Sequence, residues 1–160
     1  MVAPAPGGDT VRFMFRTLLF AALLSMASLH AEKKVINPPE FAGAPGAPAP
    51  MFSPGILVDG TLHVAGQIGA DLKTNAIPDS FEDEVKLCLN RIAIVLKAAG
   101  MSFQDAVAVQ VYLTDMDLFP RMNTVYASVL PAPRPARTTV GVTKLANAKA
   151  RIEITVTAHK

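Results

Sequence analysis

At 160 residues, 51% of them hydrophobic, the chain has room for one domain with a sizeable core and some extra length. Its 15 basic and 13 acidic side chains nearly cancel, which argues against a nucleic-acid partner, since such partners demand a basic stripe. The single cysteine, Cys88, excludes an intrachain disulfide in any compartment.

The extra length sits at the front. Arg12 and Arg16 precede an apolar run from Thr17 to Leu29, with the small residues Ser25, Ala27 and Ala31 near plausible cut sites. A positive region, a short apolar core and small residues in that order predict a secretory signal peptide over residues 1–31. The run falls short of the roughly 20 residues of a spanning helix, so no stable membrane span is expected once the signal is removed. Cleavage after Ala27 and after Ala31 both fit, and Met14 as well as Met1 fits as the start. The expected location is therefore outside the cytoplasm, in the periplasm. Arg12, Arg16 and Asp9 are the charged residues of this segment, which leaves 13 basic and 12 acidic side chains in the mature chain.

Residues 32–50, rich in Pro, Gly and Ala, read as an extended linker or arm. From Gly55 the pattern changes. Ile56–Val58 and Thr61–Ala65 flank Asp59-Gly60, a pair that supplies the positive φ angles of a two-residue hairpin turn. A helix follows, capped by Asp79 or Ser80, with Glu82, Asp83 and Glu84 in the first turn where the dipole favours negative charge. Phe81, Val85, Cys88, Leu89, Ile92, Val95, Leu96 and Ala99 form its apolar stripe, and Gly100 stops it. Within that stripe Cys88 reads as a small buried residue, not a nucleophile.

Val107, Val109, Val111 and Leu113 then alternate with smaller or polar residues, as in a half-buried strand. Asp115 or Asp117 opens a second helix with Pro120 in its first turn and Met122, Val125, Tyr126 and Val129 as its buried stripe. Pro131, Pro133 and Pro135 break it and lead into two closing strands, Pro135–Val142 and Arg151–Val156. The order ββαβαββ predicts an α+β domain, a mixed sheet with two helices on one face. The other face, with many Thr, Val and Ala side chains, is expected to be partly covered by another subunit.

Each closing strand carries one full charge among uncharged neighbours, Arg137 and Glu153. An arginine fork clamps a carboxylate, and a carboxylate holds or activates water, so adjacent strands bearing one of each can form a site for a charged metabolite. The plainer alternative is a cross-strand ion pair on a solvated face, contributing about 0.2–1 kcal/mol. His30, His63 and His159 show no metal-ligand spacing, and no cofactor motif is present, so any enzyme here is expected to work without a metal or cofactor.

Five segments occur together in order: Phe52–Gly55, Val64–Gly69, Met122–Tyr126, Pro135–Thr138 and Ile152–Ile154. With these the chain resembles the RidA (YjgF) family over roughly residues 50–158. The resemblance implies a chorismate-mutase-like α+β domain assembled as a homotrimer, with ligand clefts between subunits. It further implies a cofactor-independent deaminase that adds water to reactive 2-imino acids, such as 2-iminobutanoate and 2-iminopropanoate, releasing 2-keto acids and ammonia. These imines arise when pyridoxal-phosphate dehydratases act on serine, threonine and related amino acids.

By the same resemblance Arg137 holds the substrate carboxylate and Glu153 positions the attacking water. Gly66 sets backbone groups against the substrate, and Asn123 shapes the cleft. Phe52 and Thr139 are matched to substrate-binding positions, although the family's deaminases often carry tyrosine and cysteine there. Ala65 likewise stands where they often carry serine. Retained Arg137 and Glu153 favour imine hydrolysis. The missing hydroxyls leave open a non-enzymatic module that binds small carboxylates, or a chaperone-like protein on the same fold. A ribonuclease role fits poorly with a near-neutral domain that has no cluster of catalytic histidines.

Overall fold

The computed structural model describes residues 1–2, 32–42 and 51–160. The chain divides into two units, Met1–Ala31 and Glu32–Lys160. Only Met1 and Val2 of the first unit are described, both exposed, so the signal-peptide, start and cleavage expectations lie outside the described residues. Among the described residues no helix is long and apolar enough to cross a membrane.

The second unit is built on a six-stranded mixed sheet in the order β1-β2-β3-β6-β4-β5. Its strands are β1 (Lys34–Ile36), β2 (Gly55–Val58), β3 (Thr61–Ile68), β4 (Ala106–Leu113), β5 (Ala136–Gly141) and β6 (Ile152–His159). Asp59 and Gly60 both take positive φ, 47° and 71°, and close the β2–β3 hairpin as their chemistry requires. Helices α1 (Phe81–Ala98) and α2 (Phe119–Val129) lie on one face, as the element order predicts.

Local chemistry sets the helix boundaries. The Ser80 hydroxyl accepts from the Asp83 N–H at the start of α1, and Gly100, with φ 73°, follows its end. Along α1, Phe81, Val85, Cys88, Leu89, Ile92, Val95 and Leu96 are all at most 1% exposed. They pack on Leu62 and Val64 of β3, Val109, Val111 and Leu113 of β4, and Ile152, Ile154 and Val156 of β6. Each large aliphatic side chain buried this way contributes about 1.5–3 kcal/mol.

Three expectations need correction. First, the segment read as linker or arm holds β1, paired antiparallel with β2, and a 3-10 turn over Pro39–Phe41. Ile36 is buried in the core, so a single apolar residue anchors a strand too short to show a period. Second, α2 begins later than Asp115, which caps a preceding 3-10 turn over Met116–Leu118. Its buried row runs Met122, Tyr126, Leu130 in steps of four, with Val125 beside it, and this leaves Val129 on the flank, 38% exposed.

The third correction concerns the closing strands. They are not neighbours. β5 pairs parallel with β4 through the α2 crossover, while β6 lies between β3 and β4, antiparallel to both. A parallel pair needs such a crossover, and α2 supplies it.

Candidate functional site

Paired residues in a sheet share a face, so register fixes where each charge points. Arg137 pairs with Val109, a core residue, and therefore lies on the helix face of edge strand β5. There its guanidinium stacks 4.7 Å from the Tyr126 ring centroid and 5.6 Å from that of Phe119. Glu153 pairs with Tyr112 and Ile68 and alternates with the buried Ile152 and Ile154, so it lies on the open face. The two charges occupy opposite faces with β4 between their strands. They form neither the cross-strand ion pair nor the single adjacent-strand site expected from the sequence.

Each charge has its own cleft. Glu153 lines a cleft of about 590 Å³ together with Phe52, Ala65, Gly66, Gln67 and Arg91. Arg137 lines a second, of about 460 Å³, with Asn123, Tyr126 and Arg134. The sequence-predicted residues thus divide between two clefts: Glu153, Gly66 and Phe52 in the first, Arg137 and Asn123 in the second. Thr139 shares the face of Arg137 one step along β5, pairing with the core residue Val111.

The first cleft is shaped by a bulge. Between Val64, which pairs with Val156, and Gln67, which pairs with Ile154, β3 has Ala65 and Gly66 opposite the single residue Thr155. The β2 pairing ends at Val64, and the Ala65 N–H instead donates to the Pro54 carbonyl at 2.9 Å, bringing the Phe52–Pro54 segment against the bulge. A Cβ built on Gly66 would overlap Glu153 Oε1 and stand 2.9 Å from its Cδ. Glycine is therefore required for space, so that the Glu153 carboxylate can lie over the strand. That carboxylate accepts no hydrogen bond from any described residue.

Gln67 is 2% exposed and fixes the bulge from behind. Its Nε2 donates to the Ala65 carbonyl at 3.1 Å, its Oε1 accepts from Arg91 Nε at 3.1 Å, and its backbone carbonyl accepts from the Cys88 thiol. Burial pushes the Cys88 thiol far up from its ordinary value, which fits the inert role expected of it.

On the face of the second cleft, the Tyr126 hydroxyl and Thr139 Oγ1 are buried with no hydrogen-bond partner among the described residues. Burial pushes the Tyr126 phenol up, with Arg137 and Arg134 pulling it the other way. Two arginines and the Tyr126 hydroxyl line this cleft and suit an incoming anion with acceptor oxygens, whereas Thr139 is not among its lining residues.

Sequence reasoning missed Gln67 and Arg91. Arg91 stands three residues after Cys88, on the border of the α1 stripe, where a charged residue beside the core is the only local signal. Among the described residues no cluster of His, Cys, Asp and Glu suits a metal.

The profile of the Endoribonuclease L-PSP family matches residues 42–160. The chain belongs to this family, also called RidA or YjgF. A RidA-family relative from Dermatophagoides farinae, named 2-iminobutanoate/2-iminopropanoate deaminase, is 32% identical over 122 residues, covering 74% of this chain and 94% of the relative. A RutC family protein of Saccharolobus solfataricus is 40% identical over 117 residues, covering 71% and 92%. Among solved structures, RidA from the Antarctic bacterium Psychrobacter superposes with a TM-score of 0.71 at 28% identity, covering 79% of this chain and 100% of that one. The RidA fold accounts for the sheet order and for the placement of both helices on one face.

Proposed function

We propose that the protein is a cofactor-independent deaminase of 2-imino acids such as 2-iminobutanoate and 2-iminopropanoate, acting at sites completed between the protomers of a homotrimer. The observation that carries this reading is the unpaired Glu153 carboxylate lying over Gly66 in one cleft while the Arg137 fork waits in another, on the opposite face. Within one protomer the sheet separates them; a second copy docked on the open face supplies Arg137 to Glu153. The open face supports such docking, because it presents Ala65, Ala108, Thr155, Thr157, Thr138 and Val140 with no helix over it among the described residues.

In the completed site Arg137 clamps the substrate carboxylate through two N–H donors. Glu153 accepts a hydrogen bond from water and directs its oxygen at the imine carbon. The C–O bond forms as the C=N π pair moves to nitrogen, which takes a proton. In the resulting carbinolamine the amine nitrogen takes a further proton and leaves as ammonia with the C–N pair. The hydroxyl gives up its proton as the C=O bond of the 2-keto acid forms, so the proton gained by nitrogen balances the one lost from oxygen. No electrons change hands, and orientation and electrostatics supply the acceleration. The near-neutral charge fits a small-molecule substrate better than a nucleic acid, and the N-terminal segment fits export to the periplasm. Mass spectrometry of the mature amino terminus tests export: an intact Met1 or Met14 overturns it.

The test generates 2-iminobutanoate in situ and follows release of 2-oxobutanoate with and without the protein. Wild type should accelerate release, Arg137→Ala should return it to the spontaneous rate, and Glu153→Gln should slow turnover while largely preserving ligand binding. Wild type and Arg137→Ala both at the spontaneous rate would sink the deaminase reading. A second reading, binding of small carboxylates without hydrolysis, is favoured by Phe52 and Ala65, which line the cleft without a hydroxyl. It predicts that wild type binds 2-oxobutanoate and Arg137→Ala does not, with no acceleration by either.

A further inference from the structure

The cleft that holds Glu153 contains a cation of its own. Arg91, half-buried on α1, enters where β3 runs past its pairing with β2. Its Nε donates to Gln67 Oε1 at 3.1 Å and its Nη1 to the Ala70 carbonyl at 3.2 Å, while the Phe41 ring lies 4.9 Å from Cζ. These contacts fix the plane of the guanidinium, yet every partner is neutral. Nη2 has no hydrogen-bond partner among the described residues, and no carboxylate, Glu153 included, lies within ion-pair distance.

Arg151 makes the contrast. It is another partly buried arginine, at the threshold of β6, and it meets the carboxylate of Glu84 at 2.6 Å. Arg91 has no such contact: desolvation lowers its affinity for its proton, and the Asp71 carboxylate opposes this only from beyond ion-pair distance. A guanidinium held in a cleft, with Nη2 free and no carboxylate in contact, suits a ligand carboxylate or similar planar anion.

We propose that Arg91 is a second carboxylate anchor of this site and that the preferred substrates are 2-imino acids with an acidic side chain. The inference rests on the deaminase reading: Arg137 of another protomer takes the carboxylate beside the imine, Glu153 directs water, and Arg91 takes the carboxylate at the far end. Hydrolysis proceeds as above, C–O bond formation followed by loss of ammonia, and yields a 2-keto dicarboxylate. A cleft of about 590 Å³ accommodates such a molecule, and Asn75 and Asn147 line it with further amide donors. A substrate with an apolar side chain leaves Arg91 without a counter-ion.

The test compares binding of 2-oxoglutarate and 2-oxobutanoate by titration calorimetry, and turnover of 2-iminoglutarate and 2-iminobutanoate generated in situ by amino-acid oxidases. Wild type should favour the dicarboxylate of each pair. Arg91→Met should weaken 2-oxoglutarate binding and 2-iminoglutarate kcat/KM by about tenfold or more, and the monocarboxylates by a clearly smaller factor, because Arg91 also holds Gln67 behind the bulge. Arg91→Lys, which keeps the charge without the fork, should fall between them and covers the case in which Arg91→Met fails to fold. Equal affinity of wild type for both keto acids, binding of neither, or equal losses for both in the variants would overturn the proposal. A dicarboxylate preference that depends on Arg91, with no acceleration of either imine, would instead leave the anchor standing as a binding group and remove the deaminase reading beneath it.

Discussion

Glu84, wholly buried on α1, holds Arg151 at the threshold of β6, two residues before Glu153. Its Oε1 accepts from the Arg151 backbone N–H at 2.7 Å and its Oε2 from Arg151 Nε at 2.6 Å. The Arg151 guanidinium also donates to the carbonyls of Pro78 and Asp79 and lies 5.5 Å from the Phe81 ring. One carboxylate thus ties a helix start, a loop and a strand start together. Glu84→Ala leaves the Arg151 backbone N–H without its acceptor and the guanidinium without its counter-charge, and should cost about 3–5 kcal/mol, measured by guanidinium unfolding. A loss below about 1 kcal/mol would show that solvent replaces the carboxylate.

Gly66 faces the far end of a flexible side chain, not backbone, so a methyl group there displaces the Glu153 carboxylate at small cost to the fold. Gly66→Ala should melt within a few degrees of wild type. Its imine hydrolysis should fall by about tenfold or more, since a shift of about 1 Å at a catalytic group costs that much. Unchanged turnover would mean that Glu153 acts from another position.

Arg121 clamps Glu82 with two hydrogen bonds of 2.7 Å, joining the first turns of the two helices. These bonds lower the Glu82 carboxyl from its ordinary value of 4.5 to about 2. A carboxyl lowered by folding stabilises the fold above its unfolded value and loses that contribution as pH falls through its folded value. The contribution should therefore be complete above pH 4.5 and decline toward pH 2. Melting temperatures across that window should fall more steeply for wild type than for Glu82→Gln. The difference should shrink at about 1 M salt, because both side chains are solvent-accessible.

Thr157 pairs with His63 and with Ala108, near the middle of the open sheet face. If a second copy covers this face, Thr157→Arg should abolish assembly while leaving the protomer folded. Sedimentation equilibrium should report a monomer with an unchanged circular dichroism spectrum and no acceleration of imine hydrolysis. A monomeric yet fully active variant would show that one protomer holds a complete site.

Features governed by near neighbours in the chain were legible. Asp59-Gly60 forms its turn, Ser80 caps α1, and the stripe from Phe81 to Leu96 is buried as spaced. Those depend on φ preferences, one side-chain hydrogen bond and a 3.6-residue period. Glu84 was legible only as a helix-dipole residue, because its partner Arg151 lies 67 residues away. Arg91 was illegible as a cleft residue for the same reason: Gln67, Ala70 and Phe41 come from other parts of the chain.

The sequence by itself determined five of the six strands, both helices with the face each buries, and the family, since periodicity, caps and five ordered segments are written in local residue order. Tertiary structure decided where Arg137 and Glu153 point. Alternation shows that a strand has two faces, but which face meets the core depends on pairing with distant strands, and β4 enters between the two that follow one another in the chain. That insertion places the two charges, which adjacent strands would have brought together as a site or an ion pair, in two separate clefts.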